Sequence, residues 1–82
     1  MPAQTFTPKS IVRYINENHG GDYSNAVFQY FPNAKGKCQV WLYRTDKETG
    51  IVVDECFSPS VLASDLGFSR GEMTTKNTLV LL

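Results

Sequence analysis

Histidine occurs once in this 82-residue chain, at His19, and cysteine twice, at Cys38 and Cys56. A lone histidine leaves no second imidazole for base catalysis elsewhere, and the spacings of these three residues fit no zinc-binding pattern. Two cysteines do not make the disulfide framework of a small secreted domain. Net charge is also lacking: eight basic residues cancel eight acidic ones, whereas proteins that live by neutralising phosphates are usually basic. No apolar run approaches the roughly 20 residues that cross a bilayer. Residues 1–10 have no apolar signal core, and no repeat or low-complexity tract appears. These absences predict a single cytoplasmic domain over residues 1–82, not bound to membrane, with no metal or cofactor.

What is present is an ordinary globular composition, 41% hydrophobic and 20% charged. A chain of this size is expected to be stable by about 4–12 kcal/mol. The densest signal lies in residues 26–57. Three apolar, aromatic and β-branched runs alternate there with two short polar segments, each containing a glycine, which predicts a three-stranded antiparallel meander.

Thr7 followed by Pro8 is a helix start, a hydroxyl cap before the one position where proline is favoured. Ile11, Val12, Tyr14 and Ile15 recur at helical spacing, and Gly20 and Gly21 stop the helix. His19 in the last turn is explained by capping and the helix dipole rather than by chemistry. Ser58 and Pro59 open a second helix in the same way, with Val61, Leu62 and Leu66 as its apolar stripe and Gly67 as its stop. Residues 69–76 are a loop by composition, and residues 77–82 allow a short final strand. The predicted fold is therefore α+β: helix, three-stranded antiparallel meander, helix, short C-terminal strand.

Turn chemistry sets the expected register. Residues 33–36 and 47–50 each fit a four-residue loop with glycine last in a left-handed conformation. Phe31 then faces Cys38, Gln29 faces Val40 and Val27 faces Leu42. In the second hairpin Val40 faces Phe57, Leu42 faces Glu55 and Tyr43 faces Asp54. Alternation of side chains puts Val27, Phe31, Cys38, Val40, Leu42, Ile51, Val53 and Phe57 on an aliphatic face covered by the helices. Phe28, Tyr30, Trp41 and Tyr43 fall on the other face, with Gln39, Asp54 and Cys56.

That aromatic face is the candidate site, with Arg44 at its end. Tryptophan and tyrosine are the usual anchors of protein interfaces, and aromatic faces also stack nucleic-acid bases. The expected function is non-catalytic: a small protein-binding or regulatory module whose partner is another protein or a second copy. The alternative is nucleic-acid binding. The carboxylates Asp46, Glu48, Asp54 and Glu55 do not converge as paired acid–base work requires. Charge placement separates the two readings. A stripe in which Arg44, Lys37 and Lys35 merge with Lys9 and Arg13 of the first helix beside the rings favours nucleic acid, and interruption by Asp54 and Glu55 favours protein.

Residues 61–74, with Ala63 and Gly67 four apart, apolar Leu62, Leu66 and Phe68, and Met73 as an inward residue, resemble the helix-turn-helix signature. That resemblance implies a second helix reading the major groove. The order helix, three strands, helix over residues 7–68 resembles the double-stranded-RNA-binding domain. The resemblance implies helices packed on one sheet face. The phosphate-gripping lysines of that family's second helix have no counterpart in residues 58–67.

Overall fold

A computed structural model describes residues 3–33 and 38–82. Its elements run β1 (Gln4–Phe6), α1 (Pro8–Asn18), β2 (Asn25–Gln29), β3 (Gln39–Thr45), β4 (Val52–Phe57), α2 (Pro59–Asp65), β5 (Gly71–Thr75) and β6 (Thr78–Leu81). The expected helix–meander–helix order is present. It is joined by a second antiparallel sheet, so the strands form two sheets of three, ordered β2-β3-β4 and β1-β6-β5.

Both helices begin where the sequence signals them. Ser10 N–H donates to Thr7 Oγ1 at 3.1 Å and Thr7 N–H to Ser10 Oγ at 2.8 Å, a reciprocal capping box. Ser58 Oγ accepts from Val61 N–H at 3.2 Å. Gly20 and Gly67, just past the helices, have φ of +70° and +88°. There a glycine releases the chain from the helix without steric cost.

The second hairpin has the predicted register, with Val40 opposite Phe57, Leu42 opposite Glu55 and Tyr43 opposite Asp54. Its turn closes with Gly50 N–H donating to Asp46 O at 2.8 Å and Gly50 at φ +73°.

The first hairpin is offset by one residue from expectation. Phe28, not Gln29, stands opposite Val40, and Ala26, not Val27, opposite Leu42. The strands part after the Gln29–Gln39 pair. Pro32, which has no N–H for a ladder bond, lies in the turn that follows. The loop assigned to residues 33–36 lies largely outside the described residues. Burial favours the observed register, because Phe28 removes far more apolar area from water than Val27 would. Phe28 is 5% exposed while Val27 is 42% and Phe31 46% exposed. Ile51, also expected inside, sits in the turn and is exposed.

Two further expectations are corrected in the tail. Residues 71–75 are neither loop nor recognition helix but strand β5, which pairs with β6 and buries Met73 opposite Leu79. The helix-turn-helix reading of residues 61–74 falls with that. A register shift between Met73 and Thr75 marks a bulge at the turn. Residues 4–6, ahead of the first helix, form β1 and align on β6, Gln4 with Leu81 and Phe6 with Leu79.

One core joins all of this. Ala26, Phe28, Val40 and Leu42 from the inner face of β2-β3-β4 meet Ile11 and Ile15 of α1, Leu62 and Ala63 of α2, and Phe6, Met73, Leu79 and Leu81 of the other sheet. Tyr30, Cys38 and Phe57 pack against its margin.

Candidate functional site

The outer face of β2-β3-β4 follows from pairing and alternation. Asn25, Val27 and Gln29 come from β2, Gln39, Trp41, Tyr43 and Thr45 from β3, and Val52, Asp54 and Cys56 from β4. None of these side chains belongs to the core or its margin. The central-strand residues Trp41 and Tyr43 are half-buried by their neighbours, and Val27, Val52, Asp54 and Cys56 are exposed.

Trp41 is held in place from the side. Its indole N–H donates to Gln29 Oε1 at 2.6 Å. Val27 stands directly across from it on one strand and Cys56 on the other. Tyr43 is flanked by Asn25 and Asp54. This gives two rings in a row, valines to either side, and amides at the end near Gln29 and Gln39.

Of the five residues expected to form the site, the structure brings together two, Trp41 and Tyr43. Phe28 points the other way, into the core, because of the one-residue offset. Tyr30 lies beyond the end of β2 and packs against the core margin. Arg44 alternates to the inner side, where its Nε sits 3.8 Å from Glu55 Oε1. The same carboxylate accepts the Tyr23 hydroxyl through Oε2 at 2.9 Å. Nothing in the local sequence pairs Tyr23 with Glu55; the contact follows from the meander's geometry. Sequence reasoning also missed Val27 and Val52 as members of the outer face. A register anchored on Phe28 would have placed Val27 there.

The outer face has little charge. Among the described residues it carries one carboxylate, Asp54 opposite Tyr43, and neither lysine nor arginine. Lys35 and Lys37, part of the expected basic stripe, lie outside the described residues. Cys56 on this face and Cys38 beside the core are both free thiols. No three His, Cys, Asp or Glu side chains converge among the described residues.

Two concavities lie elsewhere. One, about 420 Å³, is bounded by Cys38, residues 58–60 and residues 71–74. The other, about 310 Å³, runs between α1 and the start of β2, lined by Pro8, Lys9, Val12, Ser24 and Asn25. No helix among the described residues is long and apolar enough to cross a membrane. The chain matches no protein-family profile, no curated protein and no solved structure.

Proposed function

We propose that this chain is a small non-catalytic protein-binding module that contacts its partner through the outer face of β2-β3-β4. One observation carries the reading: Trp41 and Tyr43 share an open sheet face with Val27 and Val52, and among the described residues the only charge there is Asp54. Large amphipathic rings bordered by aliphatic and amide groups are what the centre of a protein interface is made of. Their two-torsion side chains lose little entropy on ordering.

The partner surface that fits is apolar at its centre, with amide or hydroxyl groups to meet Gln39, Asn25 and the Tyr43 hydroxyl. A nucleic acid fits less well. Base stacking is sustained by cations tracking the backbone, and Arg44, the cation nearest the rings in sequence, is turned away and paired with Glu55.

The test replaces Trp41 and Tyr43 together with serine. Neither residue belongs to the core, so circular dichroism should remain that of the wild type. A protein retained by the wild type in both low and high salt should be lost by the double variant, because an uncharged contact is barely screened. Unaltered retention by the folded double variant overturns the proposal. Retention of nucleic acid that falls steeply with salt replaces it with the other reading.

A further inference from the structure

The two rims of the β2-β3-β4 sheet differ in chemistry. Among the described strands, β2 and β4 each pair only with β3, so each presents backbone N–H and C=O groups along a free edge. Proteins usually guard such an edge with charge or proline. Strand β4 carries Asp54 and Glu55. Strand β2, Asn25–Gln29, carries neither charge nor proline.

We propose that β2 pairs antiparallel with β2 of a second copy of this chain, about a two-fold axis through Val27, joining two three-stranded sheets into one. The inference concerns the rim of the sheet, and it does not depend on which partner the open face takes. Two-fold pairing needs a strand that complements itself in reverse. Centred on Val27, the β2 sequence does so. Val27 meets the second copy's Val27, apolar on apolar, and both are exposed in the single chain. Asn25 meets Gln29, amide on amide, at both ends. Gln29 Oε1 is already occupied by the Trp41 indole, which leaves the Gln29 amide N–H groups free to donate to Asn25 Oδ1.

The same operation on β4 fails. Opposed residues must share a face, so the axes that keep five of the six β4 residues paired fall on Asp54 or on Glu55 and set like carboxylates against each other, a destabilising cross-strand pair. Beyond Gln29 the second copy's Tyr30 and Phe31 come level with Ser24 and Tyr23. The groove lined by Pro8, Lys9, Val12, Ser24 and Asn25 opens there. The exposed Phe31 thus comes level with a recess of mixed character on its partner, whose apolar walls are Pro8 and Val12.

Charge placed at the axis tests the arrangement. Sedimentation should show the wild-type mass doubling as concentration rises. Val27→Lys and Val27→Glu should each stay monomeric at every concentration, since like charges then meet at the axis. An equimolar mixture of the two should recover the doubled mass, because only a Val27-to-Val27 contact turns the two defects into an ion pair. Tyr43→Ser, which leaves the Trp41–Gln29 bond in place, should still dimerise, separating this contact from partner binding by the open face. A monomeric wild type, a Val27→Lys protein that dimerises like the wild type, or a mixture that stays monomeric overturns the proposal.

Discussion

Tyr23 and Glu55, 32 residues apart in sequence, are joined by a 2.9 Å hydrogen bond from phenol to carboxylate. Burial first, then the Glu55 hydrogen bond and charge, push the phenol up from 10.0 to about 12, with Arg44 pulling the other way. An unfolded chain releases this proton near pH 10 and the folded chain near pH 12. Below pH 10 both states hold the proton and the contribution is complete. Between pH 10 and 12 the unfolded state binds fewer protons, so stability falls as pH rises. Tyr23→Phe should flatten that alkaline decline in urea midpoints, and a phenolate absorbance titration should show one of the four tyrosines ionising last. The size of the effect is reduced by solvent, since the pair is only partly buried. Equal slopes for variant and wild type would show that the contact does not persist in solution.

The register of the first hairpin is checked by two neighbouring residues. Phe28→Ala should cost about 3–5 kcal/mol, by lost transfer energy and the cavity left behind. Val27→Ala, on the open face, should change stability by no more than about 0.5 kcal/mol. Urea midpoints in the reverse order would put β2 the other way round.

Gly71 is tied to α2 by space rather than by its backbone angle. A methyl group there would run into the Pro59 carbonyl oxygen and lie 3.1 Å from a Leu81 methyl. The obstructing atoms are mostly backbone, so relief requires moving α2 or β5. Gly71→Ala should cost about 1–3 kcal/mol, the usual penalty of overpacking. Gly50→Ala makes a useful contrast: no atom lies near its added methyl, and its cost comes only from φ +73°. Thermal melts with Gly71→Ala as stable as wild type would mean that the helix and strand are not packed this closely.

The β3–β4 turn depends on one carboxylate. Asp46 Oδ1 accepts from Glu48 N–H at 2.8 Å and Thr49 N–H at 3.1 Å. These backbone bonds hold its carboxyl below the usual value of 3.8. A depressed pKa gives stability that is present above the unfolded value and lost as pH falls through the folded one. Asp46→Ala should lower the urea midpoint at neutral pH, and the gap to wild type should narrow on acidification. A gap that stays constant down to strongly acid pH would remove the carboxylate from the turn's account.

Local chemistry made much of the fold legible. Thr7 with Pro8, Ser58 with Pro59, and Gly20, Gly50 and Gly67 mark ends that depend only on residues within one turn. The alternation of Val40 and Leu42 against Trp41 and Tyr43 needs only the period of a strand. The first hairpin is less legible because a register inferred from turn composition alone can slip by one residue, and that slip exchanges Phe28 for Val27. Strands β1 and β5 were missed because Gln4–Phe6 and Gly71–Thr75 are short and largely polar. They are strands only because β6 offers them a ladder, and such pairing overrides local preference. The same division runs through the candidate site. Trp41 and Tyr43, two apart on one strand, were found together. Phe28 and Arg44 were misplaced because their faces depend on register and on a partner from another strand.

The placement of β6 between β1 and β5 sets an order of events for folding. Strand β5 meets β6 across a short turn, so that hairpin can form within microseconds. Strand β1 has to wait. Its ladder pairs Gln4 with Leu81, and closing so long a loop delays contact formation. During synthesis β1 has no partner in its own sheet until β6 has emerged. It then docks against a strand that its rival neighbour β5 has already occupied on the other side. Strand β1 is therefore separated from its ladder partner by nearly the whole domain, and the second sheet becomes whole only when these two distant parts of the chain meet.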